Sequence, residues 1–77
     1  MRTQSVGRTQ LLHEIARRRL RRLDVAQATG VSAAVVSLWC TGLRRPNREN
    51  AAALEVFLGI PPRAWSMGVK PDEEAAA

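Results

Sequence analysis

Three glycines, Gly30, Gly42 and Gly59, each follow a short stretch whose apolar residues recur at helical spacing. Glycine often ends a helix because, lacking a Cβ, it adopts positive φ without steric cost. Ser32 and Asn47 follow two of these glycines, and both residue types are good N-caps for a new helix. The chain is therefore predicted to fold into short helices joined by tight turns, and no stretch has the pattern of a β-hairpin.

The apolar spacing predicts an all-α fold in which five short helices form one compact bundle. Thr9 is expected to cap the first helix, and Pro62 to begin the last one. Polar composition predicts a flexible N-terminal segment at residues 1–8 and a disordered tail at residues 68–77, with the folded domain at residues 9–67. The predicted helices cover residues 9–19, 20–29, 32–40, 47–59 and a short segment from Pro62 through Trp65.

Charge is distributed unevenly along the 77 residues, whose formal net charge is +5. Residues 1–48 contain ten arginines and two acidic residues, whereas residues 49–77 have a net charge of −3. Five of those arginines lie between positions 17 and 22, where they repel one another unless an anionic group lies nearby. This distribution favours a nucleic acid or another anionic surface as the partner.

Length and composition exclude several classes of protein. A chain of 77 residues has little room for a catalytic cavity, so we expect a binding module and not an enzyme. The single cysteine excludes a disulfide scaffold, and no apolar run reaches the roughly 18 residues of a membrane span. Cys40, expected to be half-exposed, and His13 each lack a second ligand nearby, so we expect neither a metal nor another cofactor.

The spacing of small and aliphatic residues within residues 22–40 predicts a helix-turn-helix. Ala26 lies where two helices would cross closely, and Gly30 would form the turn between them. Val31, Val36 and Trp39 would hold the second helix at a fixed angle to the first. We interpret these five residues as the ones that the motif needs in order to fold.

The longer run at residues 25–46, with its Gly-Leu-Arg-Arg-Pro segment, resembles the Cro/repressor-type helix-turn-helix family of phage and bacterial regulators. Residues 47–62 are similar to the fourth helix of that family and the start of its fifth. The resemblance covers about residues 10–67. It implies a five-helix domain of the lambda-repressor type that inserts its third helix, here residues 32–40, into the DNA major groove.

The resemblance also implies which residues contact DNA. The residues expected to face the groove and its bases are Ser32, Ala33, Ala34, Ser37, Leu38 and Thr41. The residues expected to contact backbone phosphates are Arg21, Arg22, Arg44, Arg45, Asn47 and Arg48.

Two features depart from the family pattern. Arg21 stands where the second helix usually opens with serine or threonine, and arginine cannot accept the free amide hydrogens of a helix start. This helix is therefore expected to begin weakly. Ala33, Ala34 and Leu38 stand where side chains that form bidentate hydrogen bonds with bases are common. Specificity is then expected to depend on thymine methyl contacts, water bridges and DNA shape.

By resemblance, the protein would be a cytoplasmic transcriptional regulator of a phage or bacterium, an autoregulating repressor. It would bind palindromic double-stranded DNA as a homodimer. The two copies would contact each other through residues 60–67 or through the tail. One alternative is an antitoxin or adaptor that contacts a protein partner, such as a toxin, through Ala33, Ala34 and Leu38. A third hypothesis is a helix at residues 17–22 that lies on a membrane surface. Because the apolar face of that helix is needed in the core, no membrane partner is expected.

Overall fold

The computed structural model describes residues 5–68, which form four α-helices and one 3₁₀ helix. The predicted all-helical fold is confirmed, except that the fifth helical segment is a 3₁₀ helix and not an α-helix. This segment has only five residues, and its amide hydrogen bonds from Ala64 to Pro61 and from Met67 to Ala64 span three residues, as is common in short helical segments. The elements are α1 (Val6–Arg18), α2 (Arg22–Thr29), α3 (Ala33–Thr41), α4 (Arg48–Leu58) and the 3₁₀ helix Pro62–Ser66.

The first helix begins at Val6, before the predicted start at Thr9. Ser5 is the N-cap, and its hydroxyl accepts a hydrogen bond from the Arg8 amide at 3.0 Å. Thr9 lies within the helix, where its hydroxyl donates to the Ser5 carbonyl at 3.3 Å. Residues 5–8, predicted to be flexible, therefore form the cap and first turn of α1. Residues 1–4 and 69–77, which include most of the predicted tail, lie outside the described residues.

A contact with the other end of the domain explains the early start of α1. The indole of Trp65 lies against Gly7, and a Cβ added at Gly7 would be 2.5 Å from the Trp65 Cδ2 atom. The Val6 amide donates to the Met67 carbonyl at 2.7 Å, and Ser5 forms an isolated antiparallel bridge with Gly68. The first turn of α1 is therefore fixed by the 3₁₀ helix, through an approach that only a glycine permits.

The predicted caps of the next helices are confirmed. The Ser32 hydroxyl accepts from the Val35 amide at 3.2 Å, and the Asn47 side-chain oxygen accepts from the Asn50 amide at 2.8 Å. Because Ser32 is the cap, α3 itself covers Ala33–Thr41, one residue later than predicted at each end. Helices α2, α3 and α4 end with φ values of 78°, 79° and 75° at Gly30, Gly42 and Gly59.

Helices α2 and α3 meet at an angle of 110°, within the range typical of a helix-turn-helix. Ala26, Val36 and Trp39 are buried at the contact between them, with at most 2% of each residue exposed. Val31 is partly buried and packs against the same core, and Trp65 is also part of it. Ala26, Val31, Val36 and Trp39 thus lie in or against the core, and Gly30 ends α2 at the turn.

Cys40 is buried, with 4% of the residue exposed, so the predicted half-exposed position is wrong. Helix α1 packs against the end of α3, and the Arg8 Nε donates to the Cys40 carbonyl at 2.8 Å. Cys40 is therefore buried by residues of α1, which are far away in sequence. A local sequence pattern does not show such a contact.

No single helix within residues 5–68 is long and apolar enough to cross a membrane, and α2 and α3 reach that length and composition only as a pair bent by 110°.

Candidate nucleic-acid interface

Helix α3 has a buried side and an outer side on which, apart from Leu38, the residues are small. Val36, Trp39 and Cys40 lie in the core. Because Ala33, Ala34 and Ser37 have short side chains, another surface can approach this part of the α3 backbone closely. The residues predicted to contact bases all lie on or beside this helix, two of them exposed (Ser32 and Ala34) and four half-buried (Ala33, Ser37, Leu38 and Thr41).

Three of those predicted residues carry hydroxyl groups, and two of the hydroxyls already form hydrogen bonds within the protein. The Ser32 hydroxyl caps α3, and the Thr41 hydroxyl donates to the Leu38 carbonyl at 3.3 Å. The Ser37 side chain forms no hydrogen bond within residues 5–68. Ser37 therefore has the hydroxyl that is free to both donate to and accept from a ligand.

The chain that follows α3 places exposed arginines beside the end of that helix. The amides of Leu43 and Arg44 both donate to the Leu38 carbonyl, at 3.1 and 3.2 Å, which holds the start of the loop against α3. Arg44 and Arg45 extend from this loop, and Arg48 begins α4. All three arginines are exposed, and none forms an ion pair within the described part of the chain.

A cleft of about 240 Å³ lies between α3 and the start of α4. Arg44, Arg45 and Asn47, three of the residues predicted to contact phosphate, are brought together here beside Val35 and Trp39 of α3. The Asn47 side-chain oxygen is occupied by the cap of α4, so its NH₂ group is the part that can donate to a ligand.

The start of α2 is arranged differently. The Arg21 amide donates to the Asp24 carboxylate at 2.7 Å, and the Arg21 guanidinium lies 3.3 Å from the same group. These contacts, led by the amide hydrogen bond, lower the pKa of Asp24. Asp24 therefore secures the helix start from within the first turn, and the expected weak beginning of α2 is offset. Arg22, the other predicted phosphate contact here, is exposed and has no ion pair within residues 5–68.

The densest run of arginines is partly neutralised within the protein. Arg17 donates two hydrogen bonds to the Glu14 carboxylate, both at 2.7 Å, and Arg18 lies 3.1 Å from that carboxylate. The hydrogen bonds from Arg17 are the main cause that lowers the pKa of Glu14 to about 2. Arg18 also donates to the Phe57 carbonyl at 3.2 Å, near the end of α4. These two arginines thus stabilise helix ends.

Sequence reasoning missed one arginine near the predicted interface. Arg63 of the 3₁₀ helix lines a second cleft of about 350 Å³ together with Arg45 and Arg48. No signal in the sequence marked it, because Arg63 lies in the half of the chain with net negative charge. Packing of the 3₁₀ helix against α4 brings it there.

The fold and this surface define a class of protein: a small helix-turn-helix domain whose second motif helix lies beside exposed arginines that form no ion pair within residues 5–68. A family model described as helix-turn-helix matches residues 13–65. The chain belongs to this family, the Cro/repressor-type helix-turn-helix proteins, which are DNA-binding transcriptional regulators. The predicted resemblance is confirmed. No match to the chain is found among curated proteins or solved structures.

Proposed function

We propose that the protein is a transcriptional repressor that places α3 in the DNA major groove and binds the flanking phosphates through arginine. One observation carries this proposal. Arg44, Arg45 and Arg48, which lie in the loop after α3 and at the start of α4, are exposed and have no carboxylate partner within residues 5–68. Arginines in this condition repel one another, and a phosphate backbone would relieve that repulsion.

The outer residues of α3 would determine which bases are recognised. Ala33, Ala34 and Leu38 can pack on thymine methyl groups but form no hydrogen bonds with base edges. Ser37 would supply a direct polar contact, because its hydroxyl is not used within residues 5–68. Sequence preference would then come partly from these contacts and partly from DNA shape.

We further propose that two copies bind a palindromic site upstream of the protein's own gene. A single recognition helix of nine residues contacts few base pairs, so two copies on half-sites roughly 34 Å apart are needed for a selective operator. Ile60, Ala64 and Trp65, which belong to the predicted dimer interface at residues 60–67, lie in the protein's own core. The exposed apolar side chains of Met67 and Val56 are better placed for a second copy to cover.

The alternative of an antitoxin or adaptor rests on the small apolar surface of Ala33, Ala34 and Leu38. Two findings favour DNA over a protein partner for this surface. The family consists of DNA-binding regulators, and the neighbouring arginines have no counter-charge within residues 5–68. An apolar partner surface would leave those charges without a counterpart.

Fluorescence anisotropy over a salt series tests the proposal. One labelled duplex carries the DNA upstream of the gene, and the other carries the same bases in scrambled order. If each subunit neutralises about four phosphates, log K falls with log salt at a slope of about −7 per dimer. We expect the upstream duplex to bind about a thousandfold more tightly at physiological salt.

Other outcomes of that titration would contradict specific parts of the proposal. Equal affinity for both duplexes with a steep salt slope would show a DNA-binding protein without an operator at that location. A slope near zero, or no binding at low salt, would contradict DNA binding itself.

A further inference from the structure

We propose that Arg63 binds a DNA phosphate and extends the interface from α3 onto the 3₁₀ helix. This inference rests on the proposed function and adds to it a binding residue that the sequence resemblance does not supply. It predicts a longer footprint on the DNA backbone than α3 and its loop would give.

The second cleft is surrounded by positive charge. Three of its lining residues are Arg45, Arg48 and Arg63, and none of its lining residues is acidic. Its polar lining also includes Asn47 and Ser66, which can donate hydrogen bonds. Three guanidinium groups around one cleft favour an anion that accepts several hydrogen bonds, and a phosphate group fits that description.

The second cleft is continuous with the proposed interface. Arg45 and Asn47 line both this cleft and the smaller one beside α3. The basic surface therefore runs from α3 through the loop and the start of α4 to the 3₁₀ helix. A DNA strand that left the major groove contacts of α3 along this surface would reach Arg63.

The 3₁₀ helix that carries Arg63 is held rigidly. Trp65, two positions after Arg63, is buried against Gly7, and the Met67 carbonyl accepts a hydrogen bond from the Val6 amide. A residue on such a rigid element is held at a fixed position relative to α3, so less freedom is lost when it binds.

Arg63→Ala tests the inference in the same salt titration. Because Arg63 is exposed and has no ion pair within residues 5–68, the variant should keep the fold. We expect about tenfold weaker binding to both the upstream and the scrambled duplex. The salt slope should become less negative by about 0.9 per subunit, and Arg63→Lys should restore it.

A matched control removes the same charge elsewhere. Arg17→Ala leaves the net charge equal to that of Arg63→Ala, but Arg17 is paired with Glu14. It should change affinity by less than about twofold. Should Arg63→Ala fail to melt cooperatively, Arg63→Gln, which keeps a long polar side chain, takes its place in the same measurement.

The outcomes separate this inference from the proposed function. If the wild-type protein binds DNA and Arg63→Ala binds with the same affinity and slope, the inference is overturned and the proposed function stands. Tighter binding by Arg63→Ala would also overturn it. If the wild-type protein binds neither duplex, both fail together.

Discussion

The two groups of arginines differ in their surroundings more than in their composition. The first arginine cluster (Arg17, Arg18, Arg19, Arg21 and Arg22) is denser, and three of its members pair with Glu14 or Asp24. The second arginine cluster (Arg44, Arg45 and Arg48) is sparser, and none of its members forms an ion pair within residues 5–68. A high density of arginine in sequence therefore does not by itself indicate free positive charge.

Local geometry produces the difference. Glu14 precedes Arg17 and Arg18 by three and four positions on one helix, which places the side chains on the same face. Arg45 precedes Glu49 by four positions, but Arg45 lies in the loop before α4, so helical geometry does not bring them together. The loop thus keeps Arg45 from pairing with Glu49, the next carboxylate along the chain.

The strongest test of this comparison removes two arginines from each cluster. Arg44→Ala with Arg45→Ala should weaken binding to every duplex by about a hundredfold and make the salt slope less negative by about two units per subunit. Arg17→Ala with Arg18→Ala removes the same charge, and should change affinity by less than about threefold because both residues are held by Glu14. Anisotropy titrations of both double variants provide the measurement.

Circular dichroism melting serves as the control for these variants. The Arg17 and Arg18 variant should melt at a lower temperature, because it loses the ion pairs with Glu14 and the hydrogen bond to the Phe57 carbonyl. The Arg44 and Arg45 variant should melt close to wild type. Equal losses of DNA affinity in the two double variants would show that net charge, and not pairing, decides binding.

A smaller effect on DNA affinity is expected from variants that test whether Ser37 contacts bases while Arg45 contacts phosphates. Ser37→Ala should weaken binding to the upstream duplex by about fivefold, the contribution of one hydrogen bond, and leave the scrambled duplex unaffected. Arg45→Ala should weaken both equally. A parallel loss on both duplexes for Ser37→Ala would place Ser37 outside the base contacts.

Features with local causes could be predicted from the sequence. Ser32 and Asn47 each cap a helix by accepting a hydrogen bond from an amide three residues later, so their role is visible in the local pattern. The start of α1 was predicted incorrectly at Thr9, because its cause is the contact between Gly7 and Trp65 at opposite ends of the domain. Sequence periodicity carries no information about such a contact.

The same distinction holds for the candidate site. Arg44 and Arg45 could be proposed from the sequence because they lie in the Gly-Leu-Arg-Arg-Pro segment, which is part of the family resemblance and comes soon after α3. Arg63 could not, because only the packing of the 3₁₀ helix against α4 brings it beside Arg45. The pairing of Glu14 with Arg17 has a local cause, because residues three positions apart on a helix lie on the same face, so the sequence does contain a signal for it.

The comparison of the two clusters can also be tested by removing an acidic partner instead of the arginines themselves. Glu14→Gln removes the carboxylate that holds Arg17 and Arg18, and so makes the first cluster more like the second. We expect two- to threefold tighter binding to the scrambled duplex at low salt, about the effect of one extra net charge near the DNA. Glu55→Gln is the matched control, because Glu55 is an exposed glutamate on α4 with no ion pair within the described residues. Equal tightening in both variants would mean that the pairing of Glu14 does not restrain the first cluster.

The smallest expected effect is the dependence of stability on pH. The pKa of Glu14 is lowered from 4.5 to about 2 in the folded protein, so its carboxylate favours folding above pH 4.5. That contribution is lost as pH falls from 4.5 towards 2, and Asp24, whose pKa is also lowered, acts in the same direction. Melting temperatures measured across this range should fall for the wild-type protein and fall less for Glu14→Gln, with Glu55→Gln following the wild type. A Glu14→Gln curve parallel to that of the wild type would show that the ion pairs with Arg17 and Arg18 contribute nothing to folding, and the contrast between the two clusters would then be one of position alone.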